Sequence, residues 1–445
     1  MTLQNMIVHS GEGLSAAFQS KKYRPYGLNN IRHVPQIKQL SNQQLFDLEV
    51  VTRVLPFRTN NYVIEELIDW SNIPNDPLYK LNFLQKDMLK KHHYDRVAAL
   101  LERGADKALI SQAANQIREE LDPHPAGQLT KNRPTLEGEL LSGAQHKYRE
   151  TMLFFPTQGQ TCHAYCTFCF RWPQFVGIKD YKFAMSEIQP VIKYIRKHAQ
   201  ITDILFTGGD PLFMKTKILE GYIDALLQAD LPNLRSIRIG SKTLSYWPYR
   251  FLTDNDADAL LALFEKIVSN GIHLALMAHF NHPRELSTKA VELAISRIRQ
   301  TGAQIRAQSP VLNHINNDPD LWASMWQRQV ELGIIPYYMF IARNTGAQHY
   351  FSIPLEEAWQ IFGQAYQQVS GLARTVRGPV MSCNPGKVQV LGISEIKNEK
   401  VFVLRALQHR NPKHVMKPFY AKYDPQAIWF NQLKPAFGEE KFFFD

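Results

Sequence analysis

The sequence predicts an α/β protein: a partial, open (β/α)6 barrel, preceded by a helical region and followed by a β and irregular extension. Three observations carry this. From Thr151 to Val369, short apolar runs alternate six times with longer amphipathic runs. Ahead of that stretch the periodicity is helical only. After Arg377 it turns to the period of strands. Six strand–helix repeats imply a parallel sheet, because parallel strands need crossover connections. Six are too few for the closed eight-fold barrel. The expected boundaries are 1–145 for an N-terminal arm and helical domain, 146–376 for the barrel and 377–445 for the extension.

The elements follow in order. Residues 1 to about 40 are polar, broken by Pro25, Gly27 and Pro35, and read as an arm. Ser41 looks like the N-cap of a helix running to Val54. Asn60 to Trp70 reads as a second helix, and Asn75-Asp76-Pro77 as a turn. Asp95 to Arg103 and Ala105 to Leu121 read as two more helices, parted by Gly104. Residues 122–145, rich in Pro and Gly, lead into the barrel. The six predicted strands are Met152–Pro156, Ile201–Thr207, Leu234–Gly240, Ile272–Ala278, Gln304–Gln308 and Ile334–Ile341. The helices between and after them are Ser186–His198, Lys217–Ala229, Asp254–Asn270, Thr288–Gln300, Asp318–Leu332 and Pro354–Val369. Lys387–Leu391 and Val401–Leu404 suit a β-hairpin. The aromatic tail to Asp445 is expected to cover an opening of the barrel or to meet a neighbouring subunit.

Composition bounds the function. Of 445 residues, 44% are hydrophobic and 21% charged, so a large core is expected. The net charge of +10 could serve nucleic acid. However, the basic residues are dispersed, and the densest cluster, Lys90-Lys91-His92-His93, reads as a solvated turn. No apolar run approaches the ~20 residues of a membrane span. Met1 to Gln19 carries no basic-then-apolar signal pattern. The scarce cysteines suit a reducing cytoplasm. No nucleic-acid or membrane partner is expected.

Chemistry concentrates in Cys162-His163-Ala164-Tyr165-Cys166-Thr167-Phe168-Cys169, which holds three of the four cysteines; Cys383 lies far downstream. Three thiolates at spacings of four and three can hold three irons of a cubane cluster, leaving one iron open. That iron can chelate the amino and carboxylate groups of S-adenosylmethionine. An electron from the cluster then breaks a carbon–sulfur bond and frees a 5′-deoxyadenosyl radical. The competing zinc reading needs four closed ligands, the fourth being His163 or a distant residue. Thr207-Gly208-Gly209-Asp210-Pro211 ends the second strand, and its glycines let backbone approach a ligand.

The cysteine spacing, with Phe168 before the last cysteine, resembles the signature of the radical S-adenosylmethionine superfamily. Three further stretches are Ile237-Arg238-Ile239-Gly240-Ser241-Lys242-Thr243, Ala278-His279-Phe280-Asn281-His282-Pro283 and Ala307-Gln308-Ser309-Pro310-Val311-Leu312. With Ile335-Pro336-Tyr337-Tyr338 they resemble the lysine 2,3-aminomutase family, from about Asn75 to about Lys387. The resemblance implies a [4Fe-4S] cluster on Cys162, Cys166 and Cys169. It implies S-adenosylmethionine contacts at His279 and Gln308, with Ser241 in the same ring of strand ends, and Gly208, Gly209 and Asp210 near the ammonium. It also implies pyridoxal 5′-phosphate bound as an imine to Lys387, after the turn Cys383-Asn384-Pro385-Gly386. The implied partners are an amino-acid substrate and an electron donor such as flavodoxin or ferredoxin, in a possible homo-oligomer. The implied reaction is migration of an amino group.

Two departures bear on the substrate. The aspartates that grip lysine's distant ammonium fall here near Arg343 and Ser382. An arginine instead suits a carboxylate, so an acidic or neutral amino acid is expected. The arginine that holds the α-carboxylate, placed just ahead of the first barrel strand, falls at Thr151; Lys147 or Arg149 would replace it only with a backbone shift. The alternatives are a radical enzyme without pyridoxal phosphate and, more remotely, a zinc-stabilised nucleic-acid-binding protein.

Overall fold

The computed structural model describes residues 21–444. The first twenty residues of the expected arm, Met1 to Ser20, lie outside them. The chain builds one mixed sheet of eleven strands in which spatial order follows sequence order. The strands are Ala144–Tyr148 (β1), Thr151–Phe154 (β2), Asp203–Phe206 (β3), Ser236–Ser241 (β4), His273–His279 (β5), Gln304–Val311 (β6), Ile335–Ile341 (β7), Arg377–Ser382 (β8), Gly386–Ile396 (β9), Glu399–His409 (β10) and Pro418–Lys422 (β11). Neighbours from β2 to β8 run parallel. β1 pairs antiparallel with β2, and β8 to β11 continue antiparallel. No pair of strands closes the sheet among the described residues.

The helical region comes first, with Asn42–Thr52 (α1), Pro77–Asn82 (α2), Lys91–Glu102 (α3) and Lys107–Glu120 (α4). Six helices then follow β2 to β7 one for one: Gln189–Lys197 (α5), Thr216–Leu227 (α6), Ala257–Ser269 (α7), Lys289–Gln300 (α8), Pro319–Glu331 (α9) and Leu355–Gln367 (α10). The six expected β/α units are therefore present. Strand alternation explains the division of labour. Met152, Phe154, Ile204, Phe206, Ile237 and Ile239 are fully buried in the core. Thr151, Leu153, Leu205, Thr207, Arg238 and Gly240 point the other way and line a cavity.

Several expectations change. The helix expected over Asn60–Trp70 is only a π turn at Val63–Leu67. Asn60 instead pairs in a two-residue ladder with Pro25, and its side chain caps Val63 and reaches two distant carbonyls. Asp76 is not a plain turn residue but the N-cap of α2, accepting from Tyr79 N at 2.8 Å. The basic cluster at Lys90 opens α3, and His93 is buried against α4 through Glu120. The tail adds β11 to the sheet, and Phe442 and Phe444 meet Phe419 edge-on and Phe430 at a tilt. It therefore covers the outer hairpin.

Side chains tie β1 and the segment before it to the turn between β8 and β9 and to the end of β10. Lys147 Nζ donates to Cys383 O. Arg410, just past β10, donates to Asn384 O (3.0 Å), Lys131 O (3.1 Å) and Asn132 Oδ1.

Candidate active site

The helical region cradles the cysteine loop. Tyr165 N donates to Arg58 O (2.8 Å) and Thr167 N to Leu81 O (3.0 Å). His163 O accepts from Tyr23 Oη (2.7 Å) and Asn60 Nδ2 (3.1 Å). The His163 ring is buried, pairs with Thr243 Oγ1 at 3.2 Å, and is held neutral, its pKa pushed down to about 3 by burial and then by Arg250 and Arg58. It is a core histidine.

All four cysteines are free thiols. Burial pushes the Cys162, Cys166 and Cys169 thiols up, Cys169 to about 12; neighbouring thiols add to the shifts of Cys162 and Cys169. Such thiols give up their protons readily only to a metal. Sulfurs sharing one zinc sit at most ~4.6 Å apart, twice a Zn–S bond. Among the described residues, His92, His93 and Glu120 are the one group of three whose ligand atoms all lie within 4.8 Å of one another. The sulfurs of Cys162, Cys166 and Cys169 do not form such a group, which speaks against a single shared zinc ion.

Gly208, Gly209, Asp210 and Ser241 do not line the cavity. A Cβ at Gly209 would stand 2.4 Å from Thr161 N, and one at Gly208 2.2 Å from the Gln160 amide. The two glycines thus admit the segment that enters the cysteine loop. Asp210 is saturated: it accepts from Ser241 Oγ (2.9 Å), Lys242 N (2.8 Å), Thr243 Oγ1 (3.0 Å) and Leu212 N (3.0 Å). These residues hold the cysteine loop against β3 and β4.

The cavity, about 270 Å³, brings together Phe168, His279, Gln308, Arg343, Ser382 and Lys387. His279 ends β5, its ring 5.6 Å from that of Phe168. Its Nε2 is buried with no hydrogen-bond partner, and burial, then Lys242, holds the imidazole neutral. His282 is elsewhere, capping the turn at Pro283–Leu286. Lys387 Nζ lies 4.6 Å from the centre of the Tyr338 ring. Burial, then Arg238, Arg377 and Lys147, pushes its amine down to about 7. Gly386 before it is obligatory, since a Cβ there would meet Gln408 O at 1.9 Å.

A protein of Aquifex aeolicus described as "Putative L-lysine 2,3-aminomutase" is 32% identical over 406 residues, covering 91% of this chain and 95% of its own length. The chain belongs to the radical S-adenosylmethionine, lysine 2,3-aminomutase-like family. The glutamate 2,3-aminomutase of Clostridioides difficile is 28% identical over 58% of this chain and 55% of its own. The L-lysine 2,3-aminomutase of Clostridium subterminale is 29% identical over 52% and 51%. A radical S-adenosylmethionine methyltransferase of Kitasatospora setae superposes with a TM-score of 0.31 at 12% identity, over 58% of this chain and 51% of that one, too low to argue from. No family model matches.

In this aminomutase-like chain the cavity also holds Lys147, named above as a possible replacement for the carboxylate-binding arginine, and three residues that the sequence did not single out as a site: Arg171, Arg238 and Tyr148. Arg171 stands two residues after Cys169, which was the available signal. Arg238 had none. From β4, two strands from Thr151, it reaches Asp203 on β3, with Nε–Oδ1 at 2.8 Å. Thr151 Oγ1 donates to Asp203 Oδ2 at 3.0 Å, so Thr151 is tied to the Asp203–Arg238 ion pair. Arg149 is exposed and outside the cavity. Lys147 is inside, its amine pushed down to about 7 by burial. Arg343 Nε and Nη2, Arg171 Nη1 and Tyr148 Oη are buried without partners. These donors fit an anionic occupant such as a phosphate ester or carboxylates.

Two amines titrating near 7 predict a stability change with pH. Unfolded lysines hold their protons to about 10.4. Between pH 7 and that value the unfolded chain binds more protons, so stability rises with pH and is lost as pH falls toward 7, by roughly 1.4 kcal/mol per unit for each amine. Above about 8.5 the buried thiols oppose the trend, because they ionise only when unfolded. Urea midpoints from pH 7 to 8.5 are therefore expected to climb, and to climb less in Lys387→Met.

Proposed function

We propose that the protein is a radical S-adenosylmethionine aminomutase that moves an amino group between adjacent carbons of an amino acid with an acidic side chain. The observation that carries this reading is Lys387, a near-neutral buried amine facing the same cavity as Phe168, His279 and Gln308. Cys162, Cys166 and Cys169 would hold three irons of a [4Fe-4S] cluster. Phe168, His279 and Gln308 would flank S-adenosylmethionine, and Lys387 would bind pyridoxal 5′-phosphate covalently. When bound, the two cofactors supply a hydrogen-abstracting 5′-deoxyadenosyl radical and a carbonyl through which nitrogen passes between carbons.

The chain's own residues bind, orient and exclude water. Leu153, Leu205 and Met277 supply apolar wall to the cavity and would help to exclude water from it. A neutral lysine is the nucleophile that a carbonyl cofactor needs. Arg171 and Arg343 are both directed at the cavity with unpaired N–H groups. Arg171 is pushed down to about 9 by burial, so it still carries its charge at neutral pH. Two guanidiniums suit the two carboxylates of a glutamate-like substrate, and Arg343 would repel lysine's distant ammonium. Relatives are named for both amino acids; Arg343 favours the acidic one.

The test is anaerobic reconstitution followed by incubation with a panel of amino acids, scoring 5′-deoxyadenosine and β-amino products. An acidic substrate should yield a β-amino product, and lysine none. Arg343→Ala should raise KM for the acidic substrate about 10- to 100-fold, the worth of one or two hydrogen bonds to a charged group. A KM that does not move would remove Arg343 from the substrate seat.

A further inference from the structure

Cys166 has a partner that Cys162 and Cys169 lack. Its Sγ lies 3.5 Å from the Tyr246 hydroxyl. Tyr246 ends the one-turn helix Thr243–Tyr246 after β4 and is 1% exposed. Its carbonyl accepts from Asn60 Nδ2 at 2.9 Å, and Lys242 Nζ sits 4.5 Å from the centre of its ring. Lys242 is itself fixed by Glu285 Oε1 (2.6 Å) and Asn281 Oδ1 (3.0 Å). The phenol is thus held on the sulfur from both sides. As a free thiol, Cys166 donates to this hydroxyl; a cluster-bound thiolate has no proton to give, so between the two the phenol O–H becomes the donor.

A cluster that gains an electron gains negative charge on its sulfurs. A donor to a ligand sulfur stabilises that reduced form more than the oxidised one and raises the potential. Cys169 receives a backbone N–H, that of Arg171. Among the described residues, Tyr246 is the one side-chain hydroxyl bonded to a thiol of the trio.

We propose that Tyr246 sets the reduction potential of the cluster, its hydroxyl donating to the Cys166 sulfur and holding the couple less negative than the cysteine loop alone would. This rests on the cluster reading of Cys162, Cys166 and Cys169. One electron enters from the reductant, the cluster passes from the 2+ to the 1+ state, and the O–H bond stays intact. Lys242 and Glu285 act at one remove, by fixing the ring.

The experiment is a potentiometric titration of the reconstituted protein against dithionite, followed by electron paramagnetic resonance. Tyr246→Phe should move the midpoint negative by about 59 mV, tenfold in the one-electron equilibrium. A fluorinated tyrosine at 246, a stronger donor, should move it the other way. Tyr165→Phe is the control, since that hydroxyl pairs with Thr161 Oγ1 at 3.0 Å; its midpoint should stay. An unmoved midpoint in Tyr246→Phe overturns the proposal. Should that variant fail to retain a cluster, an unmoved midpoint in the fluorotyrosine protein overturns it instead. Failure of the unsubstituted protein to form any reducible cluster is a separate result, and it would bring down the cluster reading together with the proposal.

Discussion

Replacing Cys162, Cys166 or Cys169 singly by alanine is expected to drop 5′-deoxyadenosine formation to the protein-free background. Each thiol would hold its own iron, so no remaining pair can compensate. The nearest other thiol, Cys383, is buried with its Sγ 3.4 Å from Gly386 O, in the turn before β9. Cys383→Ala should therefore leave iron and sulfide content unchanged. Iron analysis and product chromatography on the four variants, prepared anaerobically, check this. If a single alanine variant at 162, 166 or 169 kept parental cleavage, the cluster assignment would fail.

The second large effect belongs to Lys387. Lys387→Ala should lose both the absorbance of a lysine-bound carbonyl cofactor and all amino migration, while slow reductive cleavage of S-adenosylmethionine persists. The two activities separate because the cysteines and Lys387 stand on different strands and loops. Lys387→Arg should behave like alanine, since a guanidinium stays charged (pKa above 12) and cannot act as the nucleophile. Binding of the carbonyl cofactor by the parent should accelerate as pH rises through about 7, where the amine loses its proton. A band surviving in Lys387→Ala would place the covalent attachment elsewhere or favour the enzyme without pyridoxal phosphate.

Much of this cavity was legible in sequence, for a specific reason. Phe168, His279 and Gln308 stand beside a cysteine motif or at the ends of apolar strands, and strand ends converge in a parallel sheet. Asp210 and Ser241 stand at strand ends too. There, alternation turns Ser241 away from Gly240 and the cavity, and four donors consume the carboxylate. Arg238 was silent because its partner, Asp203, comes from another strand. β8 was missed because Gly378 and Pro379 interrupt it, and those residues ordinarily weaken a strand assignment. Asn60 looked like the start of a helix, but its buried amide instead holds His163 O and Tyr246 O. Long-range hydrogen bonds of this kind leave no periodic trace.

From Ala144 to Lys422 every strand lies beside the one made just before it. A chain emerging from the ribosome can thus add strands at one growing edge without waiting for distant segments. The cysteine loop proposed to hold iron, between the helical region and β2 to β5, is already made while β8 to β11 are still unmade. Lys387 and the Lys147–Cys383 and Arg410–Asn132 bridges arrive last. On the proposed reading, a nascent chain arrested before Arg377 would carry the iron-binding loop without Lys387.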